Sequence, residues 1–207
     1  MYDTTKPIET EQNGLSYIQP GIHENIRLAK PDDSYPIVYE RSKNGNEFIA
    51  LHFMNEDGQT FVHTEWKPVL GSGEKPEEVL EKKQANLVKR LLHIGKKFVD
   101  ESALKFKAET FEELAKFYIR AIGDNYKGKL FRVKIVYNNK NFTTFPNYVP
   151  FIESMLVEKD NSNLRLSADD KIAKTKADVI QTSKNPFDEE VETSEESVVE
   201  DVNQLPF

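Results

Sequence analysis

The segment from Lys127 to Lys140 places five cationic side chains in a β-strand pattern and contains no acidic residue. The cations are Lys127, Lys129, Arg132, Lys134 and Lys140. Apolar residues alternate with Arg132 and Lys134, and successive side chains of a strand point to opposite faces. If the apolar residues face the core, these two cations project together onto the outer face. The segment therefore predicts a basic surface that can follow a chain of phosphates.

Aromatic residues follow this basic segment directly. Phe142, Phe145 and Tyr148 lie on the next predicted strand. Single-stranded nucleic acid requires cations that follow the phosphates and flat rings on which bases stack, at ~1–3 kcal/mol per base. The combination predicts a groove that binds single-stranded nucleic acid without reading its sequence. For each ring taken alone, packing in the core is the alternative interpretation.

Two earlier hairpins supply further candidates for the same groove. Tyr39, Arg41 and Lys43 precede a predicted turn at 44–45 and could extend the groove, with an ordinary exposed hairpin as the alternative. Trp66 ends the next predicted hairpin. The predicted register places Trp66 on the core face, so base stacking is its secondary interpretation.

The histidines raise the question of a metal site. A two-residue turn at Asp57-Gly58 would place His52 directly opposite His63, near Glu65. Two imidazoles and a carboxylate can hold a metal ion. A four-residue turn would break this pairing, and no third His or Cys is near in sequence. A polar sheet face is the favoured interpretation, and we predict neither a metal site nor a cofactor.

The sequence carries none of the motifs that mark common enzyme active sites. It lacks the phosphate-binding loop, the dinucleotide fingerprint, the zinc-protease motif and the serine-nucleophile motif. It has no cysteine, which excludes a thiol nucleophile, Cys-ligated zinc and an iron–sulfur cluster. A metal-dependent nuclease would need clustered carboxylates on strand ends, and only Asp57 and Glu65 are candidates. We therefore predict that the protein is not an enzyme.

Strand patterns precede and follow a central helical segment. The strands are predicted at about 21–28, 35–41, 47–54, 60–66, 129–137, 142–148 and 151–157. The helical segment covers about 76–123 and includes a capping box formed by Thr110 and Glu113. Short meandering strands must close or stack to remove their edges. We predict a mainly β chain, an OB-fold-like five-stranded antiparallel barrel with the helical insertion between strands 3 and 4. A two-layer α+β fold is the alternative.

Charge is distributed unevenly along the 207 residues, which carry a net charge of −7. Residues 81–144 hold 15 basic and 7 acidic groups, whereas residues 185–207 hold 8 acidic groups and none that is basic. The predicted organisation is a flexible leader at 1–14, a nucleic-acid-binding body at 15–160, a linker or short helix at 161–184 and a disordered acidic tail at 185–207. No apolar run approaches the ~20 residues of a membrane span, which favours the cytoplasm.

The acidic tail ends in an apolar tip. Glu200 and Asp201 lie a short spacer before Leu205, Pro206 and Phe207. An apolar tip in a segment that has no core to join suits a small apolar pocket on a partner protein, rimmed by Lys or Arg. We predict that these five residues bind a partner.

This tail, together with the order of elements, resembles the single-stranded DNA-binding proteins of bacteria and their tailed phages. Those proteins join an OB-fold body to a disordered acidic tail that typically ends in Pro-Phe. The long helical insertion indicates a divergent phage member. The resemblance implies a non-enzymatic protein of the bacterial host cytoplasm that coats and protects single-stranded DNA in phage DNA replication, recombination and repair. Its tail would recruit replication or recombination proteins. The alternative from another class is a structural or scaffolding interaction protein whose acidic tail serves only solubility.

Overall fold

Seven β-strands and two α-helices form in residues 16–71 and 76–174, the part of the chain that a computed structural model of the protein describes. In chain order, the elements are β1 (Gly21–Leu28), β2 (Ile37–Arg41), β3 (Glu47–Met54), β4 (Thr60–Trp66), α1 (Pro76–Gly95), α2 (Phe111–Ile122), β5 (Phe131–Tyr137), β6 (Thr143–Thr144) and β7 (Ile152–Ser154). Two short 3-10 helices cover Glu101–Leu104 and Lys159–Asn161. The predicted leader and the predicted acidic tail lie outside the described residues.

The strands form an antiparallel sheet that curls into a half-barrel. β3 pairs with β2 and β4, and β5 pairs with β6 and β7. β1 joins these two groups, because its end pairs with β3 and its earlier part pairs with β5. The register of β1 shifts between His23 and Ile26, where Asn25 has φ 56°. Such a bulge bends a strand and increases its twist, which lets one strand serve both halves of the sheet.

Both helices lie between β4 and β5. The prediction of a mainly β chain with a helical insertion is therefore confirmed, although the insertion follows the fourth strand rather than the third. α2 begins at the predicted capping box, where the Thr110 hydroxyl accepts from the Glu113 N–H at 3.1 Å and the Glu113 carboxylate accepts from the Thr110 N–H. The Tyr118 hydroxyl donates to the Leu91 carbonyl at 2.9 Å and ties α2 to α1.

The core beneath the sheet is rich in phenylalanine. Phe53, Phe61, Phe145 and Phe151 are fully buried, and the ring centroids of their contacting pairs lie 4.7–5.8 Å apart. Phe145 contacts the other three rings. The prediction that Phe145 stacks on nucleic acid is wrong, because its ring fills the core instead of facing solvent.

The pairing of β3 with β4 differs by one residue from the predicted register. Their connecting loop has three residues rather than two, with Gly58 in the left-handed region at φ 77°. His63 therefore lies opposite Leu51 rather than His52. A shift of one residue moves every side chain of a strand to the other face, so β4 turns His63 into the core and Trp66 outward. The predicted opposition of the two histidines and the predicted core position of Trp66 are both wrong for this reason.

The segment after β7, predicted as a linker or short helix from residue 161, packs against β5 in its described part. Leu164 is buried, and the backbone N–H of Tyr137 donates to the Lys171 carbonyl at 2.7 Å. Asp170 forms an ion pair with Lys134 of β5 at 3.2 Å. These contacts cover one face of β5 and extend the folded body past residue 160.

Candidate nucleic-acid interface

A groove of about 960 Å³ runs between α1, the outer face of β4 and the turn that joins β5 to β6. Three exposed aromatic rings line it: Tyr17 is 58% exposed, Trp66 49% and Phe142 66%. Val62 adds a partly exposed aliphatic side chain to the same lining. Exposed apolar side chains that gather in one concave surface mark a binding site more strongly than single exposed residues do. We call this surface the aromatic groove.

Trp66 and Phe142 are both predicted site residues, and the structure brings them into the same groove. Trp66 packs against its cross-strand neighbour Phe48, with ring centroids 4.7 Å apart and ring planes at 47°. The Asn138 side-chain oxygen accepts from the Phe142 N–H at 3.1 Å and fixes the turn that carries this ring. The Trp66 ring is therefore held by a neighbouring ring, and the backbone that carries Phe142 is held by a hydrogen bond, while much of each ring stays open to a ligand.

Lysine side chains lie along the aromatic groove. Lys67, Lys83 and Lys174 contribute to its lining. Lys67 forms an ion pair with Glu47, and the Lys174 ammonium lies 5.9 Å from the centroid of the Tyr137 ring. The predicted Lys140 is exposed in the turn that also carries Phe142. The groove thus offers several cations to a chain of phosphates.

Tyr17, Lys67, Lys83 and Lys174 are not among the residues that the sequence predicts. They come from separate segments of the chain, and only Lys83, which follows Lys82, has a basic neighbour in the sequence. The one local signal is that Lys67 directly follows Trp66, which places an aromatic ring beside a cation at the end of β4.

Amide side chains complete the lining of the aromatic groove. Gln19, Asn138 and Asn147 face it together with Thr64 and Thr143. Amide groups donate and accept hydrogen bonds, so they can bond to the edges of bases whose rings stack on the aromatic side chains. The lining therefore offers groups that can contact a phosphate, the face of a base and the edge of a base.

A buried charged network lies next to the groove and joins its walls. Glu65 accepts hydrogen bonds from Arg90 Nε and from His63 Nε2, each at 2.7 Å. Arg90 also donates to the Pro146 carbonyl. The backbone N–H of Phe145 donates to His63 Nδ1 at 3.4 Å. The network therefore links α1, β4 and the segment after β6, which are elements that form the groove.

The protonation state of this network follows from its burial. Burial lowers the pKa of His63, so its imidazole is neutral at pH 7. A neutral ring that donates from Nε2 accepts at Nδ1, and this tautomer fits the Nδ1 contacts with the Phe145 N–H and the Thr144 hydroxyl at 3.3 Å. Burial opposes the charged form of Glu65, but His63 and Arg90 outweigh it and hold the pKa of this carboxyl below its usual range. The network at neutral pH is a carboxylate bound by a guanidinium and a neutral imidazole.

No known family model matches this chain. No curated protein matches its sequence either. Among the described residues, no three His, Cys, Asp or Glu side chains group as a metal ion would require. None of the helices in residues 16–71 and 76–174 has the length and apolar character to cross a membrane.

We expect the free energy of unfolding to fall as the pH is lowered from about 7 to about 4. Burial, followed by the charge of Lys97, lowers the pKa of His93 from 6.5 to about 4, and burial also lowers that of His63. The unfolded chain then binds protons before the folded one does, so stability is lost as the pH falls below 6.5. Glu65, whose folded pKa is also lowered, adds a loss below 4.5. Thermal unfolding across this pH range measures the effect, and a constant melting temperature would contradict buried neutral histidines.

Arg132, at the centre of the predicted basic surface, is buried rather than exposed. Its side chain is 5% exposed and donates to Glu153 at 2.5 Å and to Glu24 at 3.0 Å. The expected alternation along β5 is present, but every residue of this strand is buried because both of its faces are covered. The prediction that Arg132 and Lys134 project together onto an open face is therefore wrong.

Lys134 is buried on the same strand. Its ammonium donates to the Tyr148 hydroxyl at 2.8 Å, to the Arg165 carbonyl at 2.9 Å and to Asp170 at 3.2 Å. The Tyr148 ring is partly exposed, but its hydroxyl also donates to Asp170. Tyr148 contributes to this cluster and not to the lining of the aromatic groove.

The remaining predicted residues are exposed or half-buried and lie outside the lining of the groove. Lys127 pairs with Asp124 at 3.0 Å, and Lys129 donates to the Phe98 carbonyl at 2.8 Å. These two lysines therefore bind the protein's own groups near the end of α2.

The first hairpin lies beside α2. The Tyr39 ring packs against Phe111, with centroids 6.2 Å apart, and its hydroxyl donates to Glu47. Arg41 lies 3.5 Å from Glu112 of α2, and Lys43 is exposed in the turn. The structure therefore does not bring Tyr39, Arg41 or Lys43 into the lining of the aromatic groove.

Proposed function

We propose that this protein binds single-stranded DNA without catalysing a reaction, and that it does so through the aromatic groove. One observation carries the proposal: Tyr17, Trp66 and Phe142 expose their rings in a single groove that lysine side chains border. Flat rings offer stacking surfaces to any base, and ammonium groups follow the phosphates. Such a protein would coat and protect single strands in phage DNA replication, recombination and repair, as the sequence resemblance implies.

We infer that the half-barrel is of the OB-fold type, which supports the same function. β1 bends and pairs with both β3 and β5, and the helices directly precede β5. β6 approaches β4 without a backbone ladder in the described residues, and the side chains of His63 and Thr144 bridge the two strands at 3.3 Å. In this interpretation β3 and β4 are strands 2 and 3 of the barrel, and Phe142 lies on the loop between strands 4 and 5. These are the surfaces on which OB-folds bind oligonucleotides.

We further propose that the acidic tail recruits replication or recombination proteins. This proposal rests on the charge of residues 185–207 and on the sequence Leu205-Pro206-Phe207. Bacterial host cytoplasm is the compartment that this function requires.

Binding of oligo(dT) is expected to weaken as the salt concentration rises. If Lys67, Lys83 and Lys174 each neutralise about one phosphate, log K against log salt falls with a slope of about −2, since each contact on a single strand contributes about −0.7. Trp66 is the only tryptophan in the chain, so quenching of its fluorescence reports contact at the groove itself. Fluorescence titrations at several salt concentrations give the affinity and the slope together.

Two comparisons make this test specific. Duplex DNA of the same length should bind more weakly, because its bases are stacked on one another and cannot stack on the rings. Absence of oligo(dT) binding at low salt would contradict the proposal and favour the structural or scaffolding alternative. Tighter binding of oligo(U) than of oligo(dT) would assign the groove to RNA.

A further inference from the structure

The face of α1 that points away from the sheet carries a partly exposed apolar stripe. Glu81, Ala85, Val88, Leu92 and Lys96 recur at spacings of three and four residues, which places them along one side of the helix and its end. Val88 is 40% exposed and Leu92 is half-buried. We call this set of five residues the outer stripe.

Grooves run along both sides of the outer stripe. One has a volume of about 680 Å³ and is lined by Gln84, Lys89, His93 and Val149 together with the stripe. The other has a volume of about 1040 Å³ and is formed by α1, the start of α2 and the segment between them. Val88 and Leu92 line both grooves, so they form the ridge between them. A ridge flanked by two grooves is the surface that helices use to pack against one another.

We propose that two copies of this chain associate through the outer stripe, with their α1 helices antiparallel about a two-fold axis beside Val88. In this register Ala85 lies opposite Leu92 of the second copy, so a small side chain packs against a large one. The same register places Glu81 opposite Lys96 of the second copy. Both pairs occur twice, which is the self-complementarity that a two-fold interface requires.

The order of charges along α1 favours a second copy of this chain as the occupant. Glu81 lies in the second turn of the helix, whereas Lys96 directly follows its last residue, Gly95. Antiparallel copies bring Glu81 of each helix to Lys96 of the other, and parallel copies would place each of these charges beside a like charge. Lys96 already pairs with Glu101 at 2.8 Å, but both side chains are exposed, so the ammonium can contact a second carboxylate.

The proposed dimer leaves the aromatic groove open. Lys83, Asn86 and Arg90 of α1 contribute to that groove, and they lie on another side of the helix from Glu81, Val88 and the rest of the stripe. The association is therefore independent of nucleic-acid binding, and its test does not require a ligand.

Analytical ultracentrifugation of the full chain from about 1 to 100 µM tests the proposal. We expect a dimer that dissociates on dilution. Glu81→Lys places two lysines opposite each other twice per dimer and should raise the dimer Kd by about tenfold or more. Lys96→Glu should do the same with two glutamates. The double variant Glu81→Lys/Lys96→Glu restores opposite charges and should return the Kd to within about threefold of the original.

The rescue by the double variant separates an interface from damage to the fold. Lys159→Glu changes an exposed charge outside α1 and should leave the dimer Kd unchanged, and circular dichroism shows whether each variant keeps its helices. A protein that stays monomeric at every concentration would overturn the proposal. A double variant that dissociates as readily as the single variants would also overturn it, because the antiparallel register predicts restoration.

Discussion

Replacing both Trp66 and Phe142 with alanine is expected to weaken the binding of oligo(dT) by about 2–6 kcal/mol, or about thirtyfold or more in Kd. Each ring is a stacking surface worth ~1–3 kcal/mol per base, and both face the aromatic groove. Because Phe142 is mostly exposed and Trp66 is half exposed, the melting temperature should fall only slightly. Anisotropy titrations with a labelled oligonucleotide measure the loss, since the variant has no tryptophan fluorescence.

The single variants and one control give this prediction its specificity. Trp66→Ala and Phe142→Ala should each lose part of the affinity, and the losses should add if the rings hold different bases. Tyr148→Ala is the control, because it removes a partly exposed ring that lies outside the lining of the groove. If Tyr148→Ala lost as much affinity as the double variant, the site would lie elsewhere. A double variant that folds and binds normally would contradict the groove.

Local patterns were sufficient to predict most of the elements. β3 and β4 begin and end at the predicted residues, and α2 begins at the predicted capping box of Thr110 and Glu113. Such features depend on neighbouring residues in the chain: the alternation of side chains in a strand, the spacing of apolar residues in a helix and the hydrogen bonds of a cap. They do not depend on which distant segments meet.

The candidate site depends on those distant contacts, which is why the sequence predicts only part of it. One extra residue in the loop at Gly58 reverses the faces of β4 and moves Trp66 from the predicted core to the groove. Apolar and cationic residues alternate around Arg132 in the same way whether solvent or protein covers the second face of β5. The decisive fact is that Glu24, 108 residues away in sequence, and Glu153 lie beside this guanidinium.

Replacing Arg132 with alanine is expected to lower the free energy of unfolding by about 3–5 kcal/mol and to leave the affinity of the folded protein for oligo(dT) unchanged. The Arg132 and Glu153 side chains are only 5% and 7% exposed and form an ion pair. The substitution leaves the Glu153 carboxylate buried without its counter-ion, and the remaining hydrogen bonds from the Asn163 N–H at 3.2 Å and from the Ser162 side chain do not neutralise the charge. Chemical denaturation measures the loss of stability, and oligonucleotide titration measures the affinity.

Lys127→Ala is the control for this second prediction, because Lys127 belongs to the same cationic run in sequence. The side chains of Lys127 and Asp124 are 63% and 74% exposed, so the loss of their ion pair should leave the free energy of unfolding almost unchanged. If Arg132→Ala fails to fold, the double variant Arg132→Met/Glu153→Leu removes both charges and should recover much of the stability. If the Arg132→Ala protein were as stable as Lys127→Ala but bound oligo(dT) more weakly, Arg132 would belong to the DNA interface. That result would contradict its buried position.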